Sequence, residues 1–463
     1  MSTWSQFVNH SKLLFSDKRL ATVFAFGIAS GFPWVLIGSV MSAWLKDEGL
    51  SRSMIGLFGI VFGAYTINFL WSPLLDRLAI PFLKVRMGQR RSWIFVCQLI
   101  AISATVAMAS LDLHAHLWHV ALCCFVIALS CATQDIAIDA YRIDSFAEHE
   151  QDKITAAAAM ATSGWWTGYA LLGAIPFFLA DLPGVNWPQV YYVLAVIFSL
   201  LLLVTLIAKE PLSNREHQQQ ALELAYQAKL SALQGPRAQI MAWLLVTLVE
   251  PFRSFFRRNG VKTALALILF IFLFKIGEAF LARMSIVFYK EIGFSNSQIA
   301  QYSKLGSGVI TIIFALLGSL FNQKYGIVRG LFISGIAMAA SNLMFSWIAI
   351  TGPKESLYLA AIVVDGFTQA WSLVAMVAFI SMLCDRAFSA THYALLASIG
   401  SFGRTVLSSY SGVVIDDWLH GNWALFFVLT ALMVIPSLLF LFFIRHELHA
   451  LEQKAKVTVN TLK

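Results

Sequence analysis

Long, uninterrupted apolar blocks recur along almost the whole chain, and they constrain its fold more than any other feature. A helix needs about 20 apolar residues to cross a bilayer, and only helices or closed barrels satisfy their backbone hydrogen bonds in lipid. A barrel strand alternates apolar and polar residues, which these continuous runs do not. Charged residues are 13% and apolar residues 59% of the 463 positions, whereas a soluble domain carries roughly 25% charge. The expectation is an all-α membrane protein. The first block, from Leu20 to Leu45, exceeds a signal-peptide core and reads as an uncleaved first span.

Twelve spans are expected, at 20–45, 53–75, 91–111, 117–141, 155–180, 188–208, 262–289, 296–320, 326–350, 357–384, 391–415 and 422–444. With the N-terminus inside, 25 of the 33 Lys and Arg fall in inner segments, four in outer loops (Lys46, Arg52, Lys290, Lys354) and four within spans (Lys275, Arg283, Lys304, Arg404). The positive-inside rule selects that orientation, with both termini cytoplasmic. The net charge of +8 is therefore topological and gives no case for a nucleic-acid partner. All five cysteines lie in apolar blocks and read as small buried hydrophobes. His114, His116 and His119 sit in an outer loop without a defined metal-ligand spacing, and no phosphate-binding Gly-rich loop occurs, so neither metal nor cofactor is expected.

The segment Trp44–Ile55 recurs as Phe288–Ile299. Lys46, Gly49, Ser51, Ser53 and Ile55 match Lys290, Gly293, Ser295, Ser297 and Ile299, all 244 residues apart. Each copy leaves an odd-numbered span, turns at Gly and enters the next helix through Ser. The repeat predicts two six-helix halves, 1–208 and 262–447, joined by a cytoplasmic linker at 209–261 and followed by a tail at 448–463. Parallel repeats of this kind are the arrangement of the major facilitator superfamily. Within the linker, Ile240–Val249 is too short to span, and with Arg253, Arg257, Arg258 and Lys262 beside it reads as an interfacial helix against lipid.

A charge inside a span costs at least ~2.5–3.5 kcal/mol on insertion scales, so each one is either paired or functional. Gln134, Asp135 and Asp139 lie in the fourth span, with Arg142 and Asp144 at its inner end. Asp135 and Asp139 share a face. Asp135, the deeper, is a candidate for proton binding or substrate contact; Asp139 reads as a latch to Arg77 or Arg142. Lys275 and Glu278 sit three apart in the middle of the seventh span. Arg404 lies midway through the eleventh and, unable to shed its charge, needs an anion: Asp365, Glu278 or a substrate group. Trp165-Trp166, Trp71 and Trp371 are candidates to line a sugar-binding cavity, or to pack between helices. Gly27, Gly31, Gly164 and Gly168 allow close helix approach.

Several of these segments resemble the bacterial AmpG muropeptide permeases of the facilitator superfamily. They are Phe69-Leu-Trp71 with Ser72-Pro-Leu-Leu-Asp-Arg77 and Gly88-Gln-Arg-Arg-Ser-Trp93; Ala132-Thr-Gln-Asp-Ile-Ala-Ile-Asp-Ala-Tyr-Arg142; Phe274-Lys-Ile-Gly-Glu-Ala-Phe280; and Phe388-Ser-Ala-Thr-His-Tyr-Ala-Leu-Leu396 with Gly403-Arg404. Some members carry further C-terminal spans, whereas this chain stops after the twelfth. The resemblance implies proton-driven import of GlcNAc–anhydroMurNAc and its peptides across the bacterial inner membrane, a part in peptidoglycan recycling and an indirect link to β-lactamase induction. The resulting expectation is a monomeric symporter and not an enzyme, whose partners are muropeptide, protons and the bilayer. Substrate contacts are assigned to Arg404, Lys275, Gln134, Trp165 and Asn68, proton coupling to Asp135 and Glu278, and the inner gate to Asp76, Arg77, Asp139 and Arg142. Import of another anionic solute such as a siderophore, and a non-transporting sensor of wall fragments, are the competing readings.

Overall fold

The computed structural model describes residues 17–50, 58–147, 149–180, 182–211, 215–229, 236–294, 307–408, 410–445 and 448. Among them there is no strand. Nine helices among the described residues are long and apolar enough to span a membrane; they fall on the first, third, fourth, sixth to tenth and twelfth expected spans. The remaining three are assembled from shorter pieces. The second runs through Gly59–Phe62, Gly63–Ile67, Asn68–Leu70 and Ser72–Arg77. The fifth runs from Gln151–Trp166 through a π-turn into Ile175–Ala180, and the eleventh from Ser389–Ser408 into Ser411–Val413 and a second π-turn. Glycines and a proline (Gly59, Gly63, Gly168, Gly173, Pro176, Gly412) fall at these breaks. All three segments form the contact between halves: the eleventh meets the second and fourth, and the fifth meets the eighth and tenth. Facing protein on several sides, they need less apolar surface than a lipid-facing helix.

The closest packing joins the first span to the fifth. A Cβ on Gly27 would lie 2.6 Å from the Ala161 carbonyl, on Gly31 2.0 Å from that of Trp165, on Gly164 2.1 Å from that of Phe24, and on Gly168 2.4 Å from that of Ile28. Two small-xxx-small stripes thus interdigitate, and backbone contact replaces side-chain packing. One apolar core in the N-terminal half gathers Phe32, Leu36, Trp44, Ile127, Tyr191 and Phe198. Its counterpart in the C-terminal half gathers Phe280, Phe288, Tyr289, Phe345, Tyr358 and Phe427.

The 244-residue repeat is visible in the backbone as far as residues 50 and 294. Gly49 and Gly293 both take positive φ, +80° and +101°. Leu50 N–H donates to Leu45 O at 3.0 Å, and Phe294 N–H to Tyr289 O at 2.9 Å, the same helix-ending bond at the same offset. The remainder of each copy, and Lys304, lie outside the described residues, as does the side chain of Arg283.

The linker differs from its expected form. Arg215–Lys229 is one helix, and Pro236–Leu244 continues through a π-turn into Glu250–Asn259. Instead of lying only on lipid, the second unit turns Val246, Thr247, Glu250, Ser254 and Phe255 inward, where they are buried. Val246 packs on Ala387 and Phe388, with Leu222 and Tyr226 alongside. Ile240, Met241, Leu248 and Phe252 remain exposed on the opposite side. The linker thus covers one end of the bundle, called the linker end below.

Candidate functional site

At the linker end the halves are joined through Asp76, at the end of the second span, and the N-terminus of the eleventh. Asp76 Oδ1 accepts from Arg90 at 2.8 Å and from Ala390 N–H at 3.2 Å; Oδ2 accepts from Thr391 N–H at 2.9 Å and its hydroxyl at 2.7 Å. A carboxylate at helix-start N–H groups that lack partners within the helix is favoured by the helix dipole. Arg90 also donates to Asp144 at 3.0 Å and to the Ser389 hydroxyl at 2.8 Å, and that hydroxyl donates to Asp144 at 2.8 Å. Arg90 is placed for this because Gly88, at φ +84°, starts the third span while Glu210 accepts the N–H groups of Arg90 and Arg91.

Of the four expected gate residues, Asp76 and Arg142 cross between halves and two do not. Arg142 donates to the Ser381 hydroxyl at 2.7 Å and lies 4.8 Å from the Tyr393 ring centre. Asp139 pairs with Arg142 of its own helix at 2.9 Å, not with Arg77. Arg77 turns instead to the linker, pairing with Glu223 and donating to Gln219 at 3.0 Å. Gln219 in turn donates to Ala387 O at 2.6 Å and Asp76 O at 3.4 Å, touching both halves at once.

Deeper in the bundle, a cavity of about 70 Å³ opens between the fourth and eleventh spans, lined by Tyr65, Asn68, Asp135, Tyr393, Ser398 and Ser401 among others. Ser398 donates to Asn68 Oδ1 at 3.3 Å across the halves. Three buried polar atoms here have no hydrogen-bond partner among the described residues: Asp135 Oδ1, the Tyr65 hydroxyl and Trp34 Nε1. Trp34 packs on Tyr65 at 4.7 Å and on Trp165 at 5.9 Å, and Trp165 stacks on the part-exposed Tyr169 at 5.0 Å. An aromatic wall therefore leads away from Asp135. Arg404 lies three and seven residues beyond Ser401 and Ala397, on the face of the eleventh span that lines the cavity, and it is exposed. It makes no ion pair with Asp365 or Glu278, the internal partners expected for it.

Gln134 is fully buried; its amide donates to Ala29 O at 2.8 Å, tying the fourth span to the first, while its Oε1 has no hydrogen-bond partner among the described residues. Of the two readings open for Trp71 and Trp371, the structure shows packing: Trp71 donates to the Thr133 hydroxyl, and Trp371 donates to Asn322 while packed on Gly318.

In the C-terminal half the seventh span breaks where its charges lie. One helix ends at Phe274, Lys275 is non-helical with φ −100° and ψ 8°, and a second runs Ile276–Glu291. Gly277 allows the restart to touch the twelfth span, since a Cβ there would lie 2.2 Å from Thr430 O. Lys275 pairs with Glu278 and donates to the Ser372 hydroxyl at 2.8 Å. Asp365, within electrostatic reach of both, accepts from Ser341 at 3.2 Å and Gln369 at 2.6 Å. The ammonium thus pairs with Glu278, while Asp365 lies near the pair and is held by neutral donors. The eleventh span meets the seventh just before the break, with Gly403 against Phe272 O.

Arg90, Asp144, Ser389 and Gln219 at the linker end, and Tyr65 and Trp34 beside the cavity, had no role assigned from sequence; Asp365 was expected only as a partner for Arg404. Their signal was present in part, because Arg90 and Asp144 are charges at span ends. Their mutual distance was not.

Residues 23–357 match the family model described as Major Facilitator Superfamily. A protein of Rickettsia felis named putative transporter AmpG 4 is 31% identical over 94% of this chain and 99% of its own. The anhydromuropeptide permease of Escherichia coli K12 is 30% identical over 94% of this chain and 81% of its own. Among solved structures, the proton:xylose symporter XylE superimposes with a TM-score of 0.64 at 15% identity, covering 94% of this chain and 96% of that one. The human organic anion transporter MFSD10 does so with 0.58 at 15%, covering 92% and 99%. The chain belongs to the Major Facilitator Superfamily and, within it, to the AmpG permeases.

Proposed function

We propose that this transporter imports GlcNAc–anhydroMurNAc and its peptides across the bacterial inner membrane, coupled to proton entry, with both termini in the cytoplasm. The observation that carries the reading is the set of unsatisfied polar atoms, Asp135 Oδ1, Tyr65 hydroxyl and Trp34 Nε1, gathered beside a cavity between the halves. Buried polar atoms are nearly always bonded, so three orphans together fit a site that a ligand or proton completes. The adjoining rings suit sugar faces, and Arg404 and Lys275 suit peptide carboxylates.

Proton coupling has two candidate carriers. Asp135 is unpaired at one oxygen. Glu278 pairs with Lys275 and Asp365 lies near the pair, so the cluster holds an excess negative charge that a proton relieves. The helix break at Lys275 matches the discontinuous helices at which facilitator-type carriers bind their loads. Halves 1–208 and 262–447 rock about this centre as a monomer, and the Asp76–Arg90–Asp144 network releases when it opens to the cytoplasm. The muropeptides delivered serve peptidoglycan recycling and, indirectly, β-lactamase induction. The cargo is argued from the E. coli relative, whose name states it.

The test is uptake of defined anhydromuropeptides into proteoliposomes under an imposed pH gradient. Accumulation that collapses with the gradient supports the reading. Binding without accumulation makes the protein a sensor, and preferential uptake of a ferric siderophore makes the cargo wrong. If neutralising Asp135 and Glu278 together leaves uptake fully proton-dependent, the coupling residues are misassigned.

A further inference from the structure

A second cavity lies apart from the one beside Asp135. It is a cleft of about 1190 Å³ at the linker end, between the ends of the first, fourth and sixth spans. Its inner wall is apolar, with Ala21, Ala25, Phe146, Val204 and Ile207. The last is 81% exposed although it ends a spanning helix.

The cleft also carries charges, and they are unequally satisfied. Arg19 is held by Asp17, Glu150 and the Ser145 carbonyl. The acids are engaged as well: Asp144 by Arg90 and Ser389, Glu150 by Arg19 and Lys153, and Glu210 by the N–H groups of Arg90 and Arg91. Lys18 and Lys209 are different. Both are exposed, they sit where the first span begins and just past the end of the sixth, and neither makes an ion pair among the described residues. The cleft therefore presents two free ammonium groups above an apolar wall, at the depth where a spanning helix meets water.

We propose that this cleft binds one anionic phospholipid, with the phosphate between Lys18 and Lys209 and an acyl chain along Ala21, Ala25 and Ile207. A free phosphate or sugar phosphate would satisfy the lysines and leave the apolar wall bare. A neutral lipid would cover the wall and leave the lysines without a counter-charge. Only a ligand with both parts matches the whole lining. Because Asp144 and Glu210 line the same cleft and also hold Arg90, occupancy bears directly on the gate.

The test uses the full-length chain, delipidated in detergent and titrated with phosphatidylglycerol, phosphatidylcholine or glycerol 3-phosphate under native mass spectrometry. One phosphatidylglycerol is expected to bind about tenfold more tightly than phosphatidylcholine. The double variant Lys18→Gln, Lys209→Gln removes that preference, whereas Lys18→Arg, Lys209→Arg keeps it. Ala25→Trp, which fills the wall and leaves both lysines, weakens both lipids. The proposal is overturned if the two lipids bind alike, if the Gln variant keeps the preference, or if glycerol 3-phosphate competes as well as phosphatidylglycerol does.

Discussion

Asp76 and Asp135 are both carboxylates at the contact between the halves, yet their surroundings are opposite. Asp76 is 1% exposed and accepts four hydrogen bonds, three of them from the other half. Asp135 sits beside a cavity with one oxygen unanswered. A fully bonded ion holds one arrangement of the halves and resists leaving it. An incompletely bonded carboxyl group keeps affinity for whatever arrives next. Burial of charge alone therefore does not separate a packing role from a binding one in a membrane protein; an unfilled hydrogen bond beside a cavity is the added feature at Asp135.

Removing the latch tests that contrast with the largest effect. Asp76→Ala removes one of the two carboxylates that hold the buried Arg90, leaving Asp144, and strips the eleventh helix start of its acceptor. A stability loss of about 3–5 kcal/mol is expected, with uptake lost. Thermal unfolding measures the first, and spin-label distances across the linker end should lengthen; unchanged values for both would show that Asp76 is no latch. Asp135→Asn should behave in the opposite way. Its stability changes by less than about 1 kcal/mol, because few native bonds are lost. Gradient-driven accumulation falls at least about tenfold while substrate exchange persists, as expected when only the proton-carrying step is removed. An Asp135→Asn protein that melts as early as Asp76→Ala removes the contrast.

The same comparison explains what the sequence revealed. Apolar block length gave the helices, and the repeat around Gly49 and Gly293 gave the halves, because both signals are local in the chain. The assignment of Asp135 to the centre followed from its depth within a span. Gln134 shows the limit of depth alone: one residue from Asp135 is a rotation of roughly 100°, which aims its amide nitrogen at the first span and leaves its oxygen without a partner among the described residues. The linker-end contact between the halves was only half legible. Asp76 meets Thr391 over 315 positions, and nothing in either neighbourhood states that distance. Arg77 was legible as a charge at a span end, but its partners Gln219 and Glu223 lie in the linker helix Arg215–Lys229, which nothing in the sequence tied to the second span.

A smaller pair of effects sharpens the boundary between packing and binding. Arg404→Ala should raise the KM for peptide-bearing substrate about tenfold with unfolding unchanged, since Arg404 is exposed and carries no internal ion pair among the described residues. Gln134→Ala should do the reverse, costing about 1–3 kcal/mol by orphaning the Ala29 carbonyl, with KM unchanged. Initial-rate uptake and thermal unfolding, measured on both, separate the roles; a KM rise in Gln134→Ala assigns it to the site.

The smallest expected effect lies at the rim of the linker end, where Asp17, Arg19, Glu150 and Lys153 form a half-buried network. The Arg19 hydrogen bond lowers Asp17 to about 2, against a partial opposing effect of burial. For Glu150, burial pushes upward but is outweighed by hydrogen bonds from Arg19 and Lys153, again leaving it at about 2. Both values lie below the ordinary 3.8 and 4.5, so the folded state binds fewer protons than the unfolded one. Their stabilisation is complete above the ordinary values and is lost as pH falls through them toward 2. Solvent and salt screen such a network, so Asp17→Asn with Glu150→Gln should lower the melting temperature by only about a degree at neutral pH. That difference should shrink as pH falls from about 6 to about 3, and also as salt is raised. A difference that stays constant across that range would mean that the two carboxylates act through shape and not charge, and that the rim, unlike Asp76, contributes nothing electrostatic to closing the linker end.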